Sequence, residues 1–290
     1  FRRGALPISA LWLGLDEEQA ARALGIAASR ACGIAANIGT MTKATHCGNA
    51  ARAGVESVLL ARRGFTGSLD GIGAPGGWAE IFGGGERFDR EVPLRGMQAL
   101  TCFTDPGFAY KRWPAHTAMQ IAIRAALPLH RPGHVPDGVR IEAPALRYCD
   151  RPVPRDTDDA RFSFQFNVAQ ALLDGTVGLS SFDEARLARP ALQSLLRRTR
   201  LVWDPDIPAE FPRMEVRVLL DDGRVGRADR WPGHWKSPAS EAELLEKFLA
   251  CAESCLRPAD ARSLAAMLGE VDALREIAPL VGLLARFARG

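Results

Sequence analysis

Lysine is scarce in this chain, and where it occurs narrows the search for chemistry. Of 37 lysines and arginines, only Lys43, Lys111, Lys236 and Lys247 are lysines. Arginine serves wherever a generic surface cation suffices, so a retained lysine is a candidate for a task that needs a compact ammonium able to change its protonation state. Two of the four sit among other reactive side chains. Gly39-Thr40-Met41-Thr42-Lys43-Ala44-Thr45-His46-Cys47 gathers three hydroxyls, an ammonium and an imidazole where a helix is expected to begin. The free N–H groups and partial positive charge at that end of a helix favour an anion. A plain cap formed by Thr42 or Thr45, with Lys43 solvated, is the other reading of the same residues. Tyr110-Lys111-Arg112-Trp113-Pro114-Ala115-His116 places two cations, an aromatic ring and a histidine at the mouth of another expected helix. Its alternative is a surface loop with Trp113 tucked into the core. Two anion-favouring clusters imply a polyanionic ligand, held by Thr40, Thr42, His46 and Arg112 beside the two lysines.

Other reactive residues read as structural. Gly83-Gly84-Gly85 lacks the Lys-Ser/Thr pair of a phosphate-binding loop, and His130 and His134 lie in a Pro/Gly-rich turn where exposure is expected. His234, between Gly233 and Trp235, is expected to bond backbone carbonyls at a domain junction. Cys32, Cys47, Cys102, Cys149, Cys251 and Cys255 are scattered, with no C-x-x-C pair and no histidine at zinc spacing. That excludes a disulfide framework and a structural zinc site, and it suits a reducing cytoplasm. Cys251 and Cys255 lie four apart on an expected helix and read as small buried thiols rather than metal ligands.

The elements that must position these clusters follow from periodicity. A helix is expected from Asp16 to Asn37, with acids in its first turn, and a second from His46 to Arg63, ending at Gly64. Residues 71–85 hold seven glycines and a proline and read as a loop anchored by Trp78, Ile81 and Phe82. From Cys102 the texture changes. A helix is expected over 115–127, a strand over 139–143, and a helix over 162–173 closed by Asp174-Gly175. Arg213–Leu220 and Arg224–Arg230, joined through Asp221-Asp222-Gly223, give the clearest hairpin signal. Helices follow over 241–253, 258–268 and 271–287. No internal repeat is visible. The expected fold is mainly α with an α+β insertion: a helical domain over 1–105 and 237–290, whose two parts pack together, interrupted by a smaller α+β domain over 106–236.

Composition bounds the function. With 47% hydrophobic and 24% charged residues, the 290-residue chain has the profile of a globular protein. The net charge of +3, with acids interspersed among the arginines, offers no basic block to track a phosphate backbone, so nucleic acid is a poor partner. No apolar run approaches the roughly 20 residues that span a bilayer. The chain starts with Phe1 rather than Met, and Phe1-Arg2-Arg3-Gly4 lacks the pattern of a secretory signal, so an upstream part is expected to be missing.

Taken together, these motifs resemble one family. The run GTMTKATHCGNAARAGVESVLLARRGFTG resembles the helix-entry motif of the MmgE/PrpD family, and YKRWPAH resembles the K-R-aromatic-P-A-H order of its decarboxylating branch. RYCDRPVP, RFSFQFNVAQALLDG and the late GHWKSP continue the similarity in the same order, from Leu15 to about Leu284. The resemblance implies a large helical domain, a smaller α+β lid, an active site between them, no cofactor and usually a homodimer. It implies a carboxy-lyase that turns cis-aconitate into itaconate and CO₂, with a 2-methylcitrate-type dehydration or an iminodisuccinate-type epimerisation as alternatives. By motif, Lys43, Lys111, His116 and Tyr148 match the family's active-site positions. The lysines would neutralise carboxylates, His116 would be the general acid or an orienting donor, and Tyr148 would donate a hydroxyl. Family members also carry an earlier helical segment that contributes an acid, a hydroxyl and another histidine, and its absence here departs from the pattern. A second chain supplying that segment, a fragment, or a non-catalytic half-site subunit are the readings that follow.

Overall fold

A computed structural model describes residues 5–38, 40–83, 107–209, 213–253 and 255–287. The chain divides into two compact units, 1–106 and 107–290. Cys102 and the expected change of texture around it lie outside the described residues.

The first unit is helical: α1 (Ala5–Trp12), α2 (Glu17–Ser29), α3 (Met41–Arg62) and the short α4 (Trp78–Gly83). Asp16 starts α2 through a capping box. Its carboxylate accepts the Gln19 N–H at 2.8 Å, and the Gln19 side chain accepts the Asp16 N–H at 3.2 Å. The helix stops eight residues short of the expected Asn37. Gly33 turns the chain with φ 106° and a 3₁₀ turn, Ala35–Asn37, follows. α3 in turn begins five residues before the expected His46. Thr40 is its N-cap in extended backbone, and the Thr40 hydroxyl donates to the Asn37 carbonyl at 3.0 Å instead of accepting from the helix. Thr42 and Thr45, read as possible caps, lie inside the helix, where the Thr45 hydroxyl donates back to the Thr42 carbonyl at 2.8 Å. α1 and α2 both pack on α3 around Ala10, Ala23, Val58 and Ala61. The loop after α3 crosses α2 at Gly25, where a Cβ would stand 2.2 Å from the Ser68 carbonyl oxygen. Within the segment expected to be loop, residues 78–83 form α4, with the Trp78 and Phe82 rings 5.8 Å apart.

The second unit is α+β. Its elements are α5 (Thr117–Ala126), β1 (Val139–Ala143), α6 (Phe164–Asp174), α7 (Pro190–Arg197), β2 (Thr199–Trp203), β3 (Val216–Leu220), β4 (Val225–Ala228), α8 (Glu241–Ala252), α9 (Pro258–Gly269) and α10 (Ala278–Phe287). The strands form one sheet in the order β2-β1-β3-β4. β1 runs parallel to β2, with Ile141 opposite Leu201, and antiparallel to β3, with Ile141 opposite Val218. A parallel pair needs a long crossover, and residues 144–198 with α6 and α7 supply it. α5 packs on β3 and β4, α6 on β2, and the two helices on each other. α6 is buried through Leu172, so its polar residues need internal partners. The Asn167 amide accordingly donates to the Ala160 and Ser163 carbonyls at 2.9 and 2.8 Å. The expected hairpin is present as β3 and β4, with Gly223 at φ 85° in its turn. β2 and α7 had no clear signal in the sequence. The expected helix over 271–287 is a 3₁₀ turn at Val271–Ala273 followed by α10, because Pro279 fits only a helix's first turn. Cys251 and Cys255 are exposed rather than buried: Ala252 is the one buried residue of α8, and Cys255 lies beyond the end of that helix.

After β4 the chain returns to the start of this unit. Trp231 is buried, and its indole N–H donates to the Tyr110 carbonyl at 2.6 Å. The Tyr110 N–H donates to the Gly233 carbonyl at 2.7 Å. Gly233 has φ 105°, and a Cβ there would stand 2.6 Å from the Tyr110 oxygen. Gly233→Ala therefore meets both backbone strain and a clash. A loss of about 1–3 kcal/mol in thermal unfolding is expected, and an unchanged melting temperature would contradict this account of the junction.

Candidate active site

His116 is the N-cap of α5. Its Nδ1 accepts the Ala118 N–H at 3.3 Å, and its backbone N–H donates to the Arg161 carbonyl at 2.9 Å, so the residue is anchored at the helix mouth by both backbone and ring. An accepting Nδ1 places the neutral ring's proton on Nε2, which leaves that nitrogen as the donor. Tyr148 arrives from the 3₁₀ turn Arg147–Cys149 that follows β1. The two rings meet edge to face, 5.5 Å apart at 86°. Phe162 closes another side of the imidazole at 5.3 Å.

Cys149 lies behind this pair, with Sγ 3.9 Å from His116 Nδ1. Burial pushes its thiol up to about 12, against the lowering pull of Arg151. It stays a neutral thiol at neutral pH, so the contact is not an activated cysteine–histidine nucleophile. Burial, and then Cys149, also raise the Tyr148 phenol above its ordinary value, which keeps it a hydroxyl donor across the neutral range. Nearby, burial pushes Asp159 up, but hydrogen bonds from Arg155 and the charges of Arg151 and Arg155 outweigh it and hold the carboxyl below its usual range.

Lys111 is exposed five residues before His116, and its carbonyl accepts the Lys247 ammonium of α8 at 2.6 Å. Arg112 reaches the same helix, pairing with Glu246 at 2.6 Å and donating to the Glu243 carbonyl at 3.4 Å. This candidate ligand-binding side chain is therefore engaged in tethering its loop to α8. Trp113 is half-buried against the core, and its N–H and carbonyl are both held by the Gln120 amide at 2.9 Å. The Lys111 loop thus has a fixed backbone on both sides.

The other expected site residues, Thr40, Thr42, Lys43 and His46, belong to the first unit. Thr40 caps α3, and the other three occupy its first two turns. Thr40, Thr42 and Lys43 are exposed and His46 is half-buried. Two histidines differ from expectation. His130, expected in solvent, is half-buried with Nδ1 2.8 Å from the Leu172 carbonyl, whereas His134 is exposed as expected. His234, expected to bond carbonyls, accepts the Lys236 N–H at 3.1 Å and stacks on Trp235 at 4.0 Å. Burial, then Arg230, lower its pKa, which favours the neutral acceptor form. Sequence reasoning missed Cys149, Phe162 and the Arg151–Asp159 pair around His116. Cys149, Arg151 and Phe162 carried no signal beyond membership in the runs around Tyr148 and Phe164, and Asp159 lay in neither run. Among the described residues no cluster of His, Cys, Asp and Glu is arranged to hold a metal ion, and no helix is long and apolar enough to cross a membrane.

Comparison with known proteins gives the family. The MmgE/PrpD C-terminal domain matches residues 113–272, and the MmgE/PrpD N-terminal domain matches residues 4–91. Cis-aconitate decarboxylase of Homo sapiens is 30% identical over 295 residues, covering 97% of this chain and 60% of that protein. Cis-aconitate decarboxylase of Mus musculus is 29% identical over 293 residues with the same coverage. The chain therefore spans about 60% of the length of these relatives. With the two family models matching residues 4–91 and 113–272 of the 290, the second of them taking in the His116–Tyr148 pair, the chain belongs to the MmgE/PrpD family.

Proposed function

We propose that this chain carries the chemistry of a cofactor-independent carboxy-lyase acting on a small polycarboxylate, converting cis-aconitate into itaconate and CO₂. The observation that carries the reading is the meeting of His116 and Tyr148, 32 residues apart in sequence, at 5.5 Å beside a lysine-bearing loop. The names of the similar proteins supply the substrate class.

Decarboxylation breaks a C–C bond and leaves its electron pair on the substrate. That pair must be delocalised toward a neighbouring carboxylate-bearing carbon, as an enolate-like charge, until a proton arrives. Lys111 and Lys43 supply the positive charge that neutralises carboxylates and the developing anion, an electrostatic role that grows where water is excluded. Tyr148 adds a neutral hydroxyl donor to a carboxylate. His116 donates through Nε2, acting as the general acid at the protonated carbon or orienting the group that does so. A dehydratase would use the same donors to expel hydroxide from a saturated substrate. An epimerase would use them to move one proton with no carbon lost. The Arg112-Trp113-Pro114-Ala115-His116 order favours the decarboxylase among the three.

A second reading concerns assembly and rests on the surface of the first unit. Leu11, Trp12 and Met41 are 82, 86 and 81% exposed, with Ile34, Leu59 and Phe65 also open. Apolar exposure on this scale marks an interaction surface. The working enzyme in this reading is an oligomer, either of two copies or of this chain with a second polypeptide. Its place is the cytoplasm.

Three outcomes test these readings. Lys111→Ala and Lys43→Ala are each expected to lower kcat/KM for cis-aconitate by about 10²-fold or more, with melting temperatures within about 2 °C of wild type because both side chains are exposed; equal activity would remove the lysine concerned from the mechanism. Tyr148→Phe is expected to lower turnover by about 10–100-fold, the worth of one hydrogen bond to a charged group. A raised phenol pKa means the donor is lost only as pH climbs past the ordinary tyrosine value of about 10. A Tyr148-dependent fall in rate already near neutrality would oppose that assignment. Native mass spectrometry is expected to show a dimer or a complex with a second polypeptide, and a monomer that turns over cis-aconitate unaided would sink the oligomer reading.

A further inference from the structure

Tyr148 and His116 come from separate segments, a turn after β1 and the mouth of α5, and one guanidinium reaches both surroundings. Arg151 Nε donates to the Tyr148 carbonyl at 2.9 Å. Its Nη1 pairs with the Asp159 carboxylate. Its guanidinium carbon lies 5.1 Å from the centre of the Phe162 ring, the ring that stands against His116. The backbone of Arg151 is fixed as well. Its carbonyl accepts the Ser163 hydroxyl at 2.6 Å, and its N–H donates to the Gln165 side chain at 3.4 Å. The anchor is rigid in turn: Asp159 is buried, its N–H donates to Asp156 at 2.7 Å and its second oxygen accepts the Arg155 N–H at 3.1 Å.

We propose that Arg151 is a positioning residue, which holds the turn carrying Tyr148 and, through Phe162, the face of the His116 ring, so that the two meet in their edge-to-face geometry. The inference rests on the proposed function for its catalytic meaning, though not for its geometry. One guanidinium meets a carbonyl, a carboxylate and a ring together, and its rigid planar fork spans partners that a compact lysine ammonium on a flexible stem does not hold in one geometry. Arg151 does not itself bind substrate in this account. Its loss is felt as misplacement, and a shift of about 1 Å in a catalytic group costs on the order of 10²-fold in rate.

The experiment uses the full chain with ring-labelled tyrosine, which contains only Tyr110 and Tyr148. Tyr148→Phe assigns the two sets of NMR signals. In the wild type a cross-peak is expected between the Tyr148 and His116 rings. In Arg151→Lys it should vanish and in Asp159→Asn weaken, while the Tyr110 signals and the far-UV circular dichroism stay unchanged. In an enzyme that turns over cis-aconitate, Arg151→Lys should also lower kcat more than tenfold with KM within about threefold. A cross-peak retained in Arg151→Lys overturns the proposal, as does a lost cross-peak with unchanged kcat. Collapse of the Tyr110 signals in both variants would make Arg151 a general structural residue and overturn it too. Loss of the cross-peak in a protein whose wild type is inert would sink the proposed function and leave the positioning role standing.

Discussion

The hydrogen bond from the buried Trp231 indole to the Tyr110 carbonyl is the constraint on which the rest of the second unit's site depends. It joins the segment after the last strand to the segment before the first helix, and Gly233 tightens the junction from the other side with a backbone that only glycine adopts without strain. Lys111 is the next residue along. With Tyr110 held, Trp113 locked by Gln120 and the Lys111 carbonyl taken by Lys247, the loop has little freedom and its ammonium projects from a fixed base. The same chain then enters α5 through His116, whose helix is buried against β3, β4 and α6. One indole thus sets where the lysine starts, and the α+β core sets where the histidine stands.

The chemistry of the pair follows from its surroundings rather than from residue type alone. Cys149 beside His116 would suggest nucleophilic catalysis, but burial without a strong compensating cation leaves the thiol neutral. The imidazole has its Nδ1 committed to the mouth of its own helix, and partial burial moves the Tyr148 phenol further above its ordinary value, so it stays a hydroxyl donor. What results is two hydrogen-bond donors at the end of a lysine-bearing loop, an arrangement suited to binding carboxylates and returning a proton. It has no evident nucleophile. That is the chemistry required when CO₂ leaves a polycarboxylate.

Much of the fold was legible in the sequence because the signals were local. The Asp16-Gln19 box, Gly64 and Gly175 after their helices, Pro258 at a helix start and the Asp221-Asp222-Gly223 turn each act within a few residues. Errors fell where tertiary context decided. The Thr40 backbone rather than a Thr42 or Thr45 side chain opens α3, the previous helix closes early on an Arg30 cap, and β2 exists because β1 offers it a partner 60 residues away. Lys111, His116 and Tyr148 stood out through lysine scarcity and motif resemblance, and the structure joins the last two. The residues that orient them were invisible. Nothing in the spacing says that Cys149 and Phe162 meet one imidazole, or that the Arg151–Asp159 pair stands against Phe162, since that depends on how the crossover after β1 folds back over α5.

The reaction itself is read most directly by NMR of ¹³C-labelled cis-aconitate incubated with the purified chain in D₂O. The account predicts release of labelled CO₂ together with itaconate carrying one deuteron at the carbon that receives the proton. Hydrated tricarboxylate with all its carboxylates intact would contradict it, and so would exchange of substrate protons with no carbon lost.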